Sequence, residues 1–207
     1  MPLTPADSAQ DVIARGRALL VLSHATNPRK LAEDLRRSAY VMAGAAIDTY
    51  FHQRIFKEAT IAPITKKAGE VGIRLRDVDH IIETMLESRR AATNGRPRVI
   101  LKRNLREQLA RETYQGVLGI EQAAEYLAIR NPWQYVADEL GTTPGAAKQR
   151  IAETYQRRNR IAHEGDLVRE ERPRTINRQP LGPDDAQAAL DLAEATVRAF
   201  DEVRAET

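Results

Sequence analysis

The sequence predicts an all-α protein, an up-and-down helical bundle with extra short helices. Aromatic residues make up only 5% of the 207 residues, whereas Ala, Leu, Arg and Glu, which favour helices, are abundant. Apolar residues recur at helical spacing along most of the chain, and Gly and Pro punctuate these stretches. Since no Gly/Ser-rich or Pro-rich linker divides the chain, we expect residues 1–207 to form a single domain.

The first two predicted helices cover residues 5 to 24 and 29 to about 57. Asp7 or Ser8 is the predicted N-cap of the first helix. The second helix is the longest and the most apolar, so we expect it at the centre of the bundle. The remaining predicted helices cover residues 77–90, 99–113, 121–129, 131–140, 144–163 and 183–204.

One acid, Asp48, lies in the most apolar part of the central helix, residues 41–51. A carboxylate buried at such a position requires a partner, because an unpaired buried charge is strongly unfavourable. Asp48 is therefore the best candidate for a buried carboxylate in this chain. The sequence does not identify the partner of Asp48. Three arginines of the same helix are candidates: Arg36, Arg37 and Arg54.

The helix predicted over residues 144–163 is the most informative element. Thr143 before Pro144 is typical of an N-cap followed by proline at the first helical position, and Gly165 is typical of a left-handed stop. His163 is therefore expected in the last turn. Arg158 falls on the apolar stripe of this helix, beside Ala147, Ile151 and Ile161. This position predicts either a buried ion pair or a polar cleft at a subunit interface. The same projection points Arg157 and Arg160 elsewhere.

The end of this helix reads Arg158-Asn159-Arg160-Ile161-Ala162-His163-Glu164-Gly165. This R-N-x3-H pattern resembles the Rx4-6H motif of the HEPN superfamily, and most closely its RiboL-PSP-like branch. The segment from Ala46 to Phe51 is similar to the A-L-E-A-Y-L segment of that branch, with Asp48 in place of glutamate. The resemblance covers most of residues 28–206, although residues 60–130 match nothing specific.

The resemblance implies a HEPN-like bundle in which Arg158, Asn159 and His163 occupy the motif positions. It implies a role for Asp48 in orienting His163 or pairing with Arg158. Many members of the superfamily are metal-independent endoribonucleases that act as dimers, often in toxin or defence systems, whereas others only bind or scaffold. We therefore expect RNA as a partner, a homodimer, and an antitoxin or other protein as a further candidate partner.

The residue composition and the spacing of motifs exclude several classes of catalytic site. The chain contains no cysteine, which excludes disulfides, thiol nucleophiles and Cys-based metal sites. Its four histidines show no zinc-binding spacing, and no glycine-rich phosphate loop or serine nucleophile elbow is present. We therefore expect no cofactor and no metal. Acid–base catalysis remains: His163 would transfer protons and Arg158 would stabilise charge on phosphorus, which yields a 2′,3′-cyclic phosphate and a 5′-hydroxyl.

Basic residues are concentrated between residues 88 and 106, a run with seven positive charges and no acid. The whole chain carries +3, so the remainder sums to −4. A patch of this kind can neutralise phosphates, or it can be an ordinary solvated segment. The candidate RNA-binding residues are Arg89, Arg90, Arg96, Arg98, Lys102, Arg103, Arg106, Arg157 and Arg160.

Two rival functions stay open. One is a non-catalytic HEPN-like dimer that binds RNA, a nucleotide or a protein. The other is a helix-turn-helix DNA-binding protein, which residues 137–151 resemble superficially, although a helix of about 20 residues and Arg150 at an apolar position argue against it. The N-terminus lacks a signal sequence and no apolar run is long enough to span a bilayer, so we expect a cytoplasmic protein without a membrane partner.

Overall fold

Six α-helices occur in the computed structural model, which describes residues 3–61, 110–168 and 175–203. They are α1 (Pro5–His24), α2 (Arg29–Ile61), α3 (Val117–Tyr126), α4 (Pro132–Leu140), α5 (Pro144–Glu164) and α6 (Pro183–Glu202). The described part of the chain contains no strand, only an isolated bridge between Leu167 and Arg178. The predicted all-α class is therefore confirmed.

Two of the N-terminal predictions need correction. Thr4, rather than Asp7 or Ser8, caps α1: its hydroxyl accepts the Asp7 N–H at 3.0 Å, and the Asp7 carboxylate accepts the Thr4 N–H at 2.8 Å. This reciprocal capping box places Pro5 at the first helical position, where a missing N–H does no harm. The central helix α2 is also longer than predicted, since it extends to Ile61 over 33 residues.

The middle of the chain differs more from the prediction. The helix predicted over 77–90 and most of that over 99–113 lie outside the described residues. Residues 110–113 are not helical, so the latter does not reach Thr113. The helix predicted over 121–129 instead begins at Val117 and ends at Tyr126. It stops early because Ala128 adopts a left-handed conformation with φ of 54°, which interrupts a right-handed helix.

The last three helices follow the sequence signals closely. Glycines in the left-handed conformation end α4 and α5, with φ of 60° at Gly141 and 62° at Gly165. Thr143 caps α5 through its hydroxyl, which accepts the Ala146 N–H at 3.3 Å. The spacing of apolar residues predicts five inward residues in α6, and all five are buried: Ala189, Leu192, Ala193, Val197 and Phe200. The apolar face of α6 was therefore predicted correctly.

The core lies where α1, α2 and α6 pack together, with α4 against α5 and α6. Phe51 of α2 packs edge-on against Phe200 of α6, with ring centroids 4.8 Å apart. Close by, the buried Arg54 donates to the carbonyl oxygens of Phe200 and Val203 at the end of α6. A cation there complements the negative end of the helix dipole. Arg54 thus joins the second half of α2 to the end of α6.

None of the described helices is long and apolar enough to cross a membrane.

Candidate functional site at the end of helix α5

Arg158 lies across α2 at Gly44, where the absence of a side chain makes room for it. A Cβ atom on Gly44 would lie 3.5 Å from Arg158 Cγ and 2.9 Å from Gln115 Oε1. The Arg158 Nη1 group donates to Asn159 Oδ1 at 3.0 Å, while Nε is buried without a hydrogen-bond partner. Within the described residues, Arg158 therefore has an amide neighbour but no carboxylate within 4.0 Å.

His163 lies in the last turn of α5, as predicted, and its side chain is exposed. Gly165 ends the helix two residues later, and the Asp166 N–H returns to the Arg160 carbonyl at 3.0 Å. The histidine is therefore at the rim of the bundle, where solvent or a second molecule can reach it. Five residues separate it from Arg158, or about 140° around the helix axis, so the two side chains leave α5 in different directions.

Asp48 is half-buried, with 25% of its side chain exposed. Its Oδ1 atom accepts the Tyr114 N–H at 2.6 Å and lies 3.7 Å from His52 Nδ1. No ion pair with Arg158, and none with Arg36, Arg37 or Arg54, forms among the described residues.

Asp48 nevertheless lies near the arginine of the motif. Gly44 and Asp48 are four residues apart and occupy the same face of α2, one helical turn from each other. Since Arg158 lies over Gly44, the carboxylate and the guanidinium are neighbours along one helix face without being paired. His163 makes no hydrogen bond or ion pair with Asp48. The role that the resemblance assigns to Asp48 is therefore not visible as a contact within one copy of the chain.

The buried ion pair of α5 belongs to Arg157, the residue that the helical projection pointed away from the apolar stripe. Arg157 Nη2 donates to Asp166 Oδ2 at 2.8 Å, and Arg37 Nε donates to the same oxygen at 3.2 Å. Asp166 is completely buried and Arg37 is 6% exposed. Nothing in the sequence indicates a role for Asp166, because an aspartate directly after a helix-ending glycine is usually a solvated loop residue.

Asp166 also organises the backbone that follows the motif. It adopts a left-handed conformation with φ of 58°, which aspartate tolerates better than most residues. Its carbonyl accepts the Gln179 N–H at 2.8 Å, and Val168 N–H donates to Asn177 O at 2.9 Å. The two ends of the segment between α5 and α6 are therefore held together directly beyond His163.

The candidate RNA-binding residues divide into two groups. Those at 89–106 lie outside the described residues, so their arrangement stays a prediction: Arg89, Arg90, Arg96, Arg98, Lys102, Arg103 and Arg106. Arg157 and Arg160 both line a pocket between α2, α5 and α6. Arg160 is exposed there, whereas Arg157 is largely buried by its contact with Asp166.

Two observations complete the site. In the described ranges 3–61, 110–168 and 175–203, no group of three or more His, Asp or Glu side chains could hold a metal ion. Gln115, whose Oε1 atom lies beside Arg158 at Gly44, could not have been found from the sequence, because it lies in an irregular segment without periodicity.

Comparison with known proteins adds nothing further: no protein-family model, no curated protein and no solved structure matches this chain.

Proposed function

We propose that this protein is a metal-independent endoribonuclease of HEPN type, with Arg158 and His163 as its catalytic residues. The proposal rests on the position and the hydrogen bonding of the Arg158 guanidinium. Its guanidinium is fixed against α2 at Gly44 and bonded to Asn159, yet it has no carboxylate partner among the described residues. A fixed and unpaired guanidinium suits the binding of a phosphate, because its planar fork matches two phosphate oxygens.

His163 supplies the proton transfer. An imidazole changes its charge near neutral pH and can act as general base or acid, and exposure at the end of α5 leaves this one accessible to RNA. In the proposed reaction a histidine takes the proton of the ribose 2′-hydroxyl, whose oxygen then attacks phosphorus. The bond to the 5′-oxygen breaks, and that oxygen receives a proton. The products are a 2′,3′-cyclic phosphate and a 5′-hydroxyl.

Asn159 has a positioning role in this proposal. Its Oδ1 atom accepts the hydrogen bond from Arg158 Nη1 at 3.0 Å, which restrains the guanidinium relative to the backbone of α5. An asparagine can do this without neutralising the arginine, whereas an aspartate at the same position would form an ion pair and compete with phosphate.

The active unit in this proposal is a homodimer. Arg158 and His163 diverge by about 140° around α5, so one helix does not present them side by side. A two-fold axis near the C-terminal ends of two α5 helices would bring the arginine of one copy to the histidine of the other. Isologous contacts of this kind are the commonest in soluble oligomers.

A denaturing-gel assay on mixed RNA in EDTA tests the activity. The wild-type protein should cleave, and His163→Ala and Arg158→Ala should each lose about 10²- to 10⁴-fold in rate. His24→Ala is the matched control, since His24 is also an exposed histidine in the last turn of a helix. Activity that disappears in EDTA and returns with Mg²⁺ would contradict the mechanism. RNA binding without cleavage would point instead to the non-catalytic dimer.

A further inference from the structure

A pocket of about 440 Å³ lies between α2, α5 and α6, on a different side of α5 from Arg158. Arg150, Arg157 and Arg160 line it from α5, because their spacing of seven and three residues places them on one face. The apolar part of the lining comes from the start of α6 and the residues before it: Leu181, Ala188, Ala189 and Leu192. The volume is in the range of about 300–1,000 Å³ that small-molecule sites occupy.

Two arginines of the pocket are not engaged by its acids. Arg150 and Arg160 form no ion pair within 4.0 Å with any described residue. Behind them, Arg157 is held by Asp166, but its Nε group is buried without a hydrogen-bond partner. Two guanidinium groups on the pocket are therefore available to an anion, and a third buried N–H is unsatisfied.

The two acids of the pocket are already engaged by neutral groups. Gln149 donates to Glu153 at 2.8 Å, and the Gly182 N–H donates to Asp185 at 2.8 Å at the start of α6. Neither acid forms an ion pair with an arginine in the described part of the chain, and both leave carboxylate oxygens that can accept further hydrogen bonds. A ligand here should therefore contain hydrogen-bond donors as well as an anionic group.

Tyr40 of α2 adds a neutral hydroxyl to the lining, next to Thr154 of α5. Burial raises the pKa of Tyr40 above its usual value of 10.0, so its hydroxyl stays protonated over the physiological range. The pocket thus combines guanidinium groups, carboxylate acceptors, a neutral hydroxyl and an apolar surface.

We propose that this pocket binds a nucleoside phosphate, either free or as one unit of an RNA strand. Arg150 and Arg160 hold the phosphate, and the apolar surface around the exposed Ala188 takes the face of the base. The carboxylates of Glu153 and Asp185 accept from amino or sugar hydroxyl groups. A ligand with several phosphates and no hydrogen-bond donors is disfavoured, because the two carboxylates would repel it. A wholly apolar ligand is also disfavoured, because it would cover the arginines without pairing with them.

The pocket lies close to the end of α5 that carries His163. Arg160 precedes His163 by three residues, so the Arg160 end of the pocket lies within one turn of that histidine. A strand with one nucleotide held in the pocket would pass the end of α5. The binding itself does not depend on cleavage, and the pocket would bind its ligand whether or not His163 is catalytic.

Calorimetric titration tests the proposal in two arms. In the first, AMP, GMP, CMP, UMP and inorganic phosphate are titrated separately into the wild-type protein. In the second, single-stranded RNA tetranucleotides of each base are titrated into His163→Ala, so that the strand stays intact. Both arms are repeated with Arg150→Gln/Arg160→Gln and with Ala188→Trp, which fills the pocket from an exposed position. Arg130→Gln, an exposed arginine outside the pocket, is the control.

We expect the affinity to fall by about tenfold for each arginine removed, and to be lost in Ala188→Trp, with no change in Arg130→Gln. Pocket-dependent binding of a mononucleotide identifies a free ligand, and pocket-dependent binding of tetranucleotides alone identifies a unit of RNA. The proposal is overturned if nothing binds, if the pocket variants bind like wild type, or if inorganic phosphate binds as tightly as the nucleotides. Because neither arm measures cleavage, failure of the proposed ribonuclease activity leaves this result interpretable.

Discussion

Arg157 and Asp166 form a buried ion pair across the end of α5, with Nη2 and Oδ2 2.8 Å apart. Arg37 of α2 donates to the same oxygen, so one completely buried carboxylate is shared by two guanidinium groups. All three partners meet where the helix that carries the motif stops and the chain turns back. The pair therefore fixes the end of α5 relative to α2.

Replacing Asp166 by asparagine should destabilise the protein by about 3 kcal/mol, because it removes the buried charge that Arg157 and Arg37 share, while Arg37 keeps the longer ionic contacts with Asp34 and Glu33 at 3.5 and 3.8 Å. Asparagine keeps the shape of the side chain and tolerates the left-handed conformation of residue 166, so backbone strain is not introduced. Urea unfolding followed by circular dichroism measures the change. Asp184→Asn, at an exposed position, should change the unfolding free energy by no more than about 1 kcal/mol. If both substitutions lower the free energy of unfolding equally, the buried ion pair contributes no more to stability than an exposed aspartate does.

The comparison of Arg157 with Arg158 shows what sequence periodicity can and cannot predict. Helical spacing and end signals predicted α5 to within one residue, including His163 in its last turn. They also placed Ala147 and Ile151 in the core, where both are buried. They did not predict which arginine would be paired, because the partner Asp166 comes from a loop that folds back over the helix. Periodicity describes the faces of a helix and not the path of the chain after it.

Asp48 shows a second kind of contact that the sequence does not predict. Its position in an apolar stretch predicted a buried carboxylate, but the side chain is 25% exposed and accepts a hydrogen bond from the N–H of Tyr114, 66 residues away. A backbone N–H is available at almost every residue, so no sequence signal identifies the one that is used. The same holds for Gln115 beside Arg158. Side chains on the described helices could be placed from the sequence, whereas contacts with irregular segments could not.

Gly44 is predicted to be required for the position of Arg158. A leucine at residue 44 would drive its Cβ to within 2.9 Å of Gln115 Oε1 and its branches into the Arg158 side chain. We expect Gly44→Leu to reduce RNA cleavage by at least about tenfold and to lower stability by about 1–3 kcal/mol through overpacking. Gly145→Leu is the matched control, because nothing lies within 4 Å of a Cβ at that helical position. Undiminished cleavage by Gly44→Leu would argue against Arg158 as a catalytic residue.

Glu121 should make stability depend on pH. Its Oε1 atom accepts hydrogen bonds from Lys148 Nζ at 2.7 Å and Trp133 Nε1 at 2.8 Å, and so joins α3 to α4 and α5. The Lys148 bond, followed by that of Trp133, lowers the pKa of Glu121 below its usual value of 4.5. A lowered folded pKa means that the stabilisation is complete above the unfolded value and disappears as pH falls through the folded one.

Glu121→Gln should therefore cost up to about 1 kcal/mol at pH 7, since the pair is partly exposed. The difference from wild type should shrink as the pH falls below 4.5, the usual value for this carboxyl. Urea unfolding of both proteins at a series of pH values measures it. A difference that stays constant down to acidic pH would mean that the charge of Glu121 does not contribute.

The central proposal is that each of the two clefts of a dimer takes Arg158 from one copy of the chain and His163 from the other. It is tested most directly by mixing Arg158→Ala and His163→Ala proteins after subunit exchange and measuring RNA cleavage in EDTA. Each variant alone should be nearly inactive, because every cleft lacks a catalytic group. In a mixed dimer one cleft keeps both residues and the other loses both, so random exchange should restore about a quarter of wild-type activity. If sedimentation shows mixed dimers and the activity stays at the level of the single variants, the two residues do not act across a dimer interface.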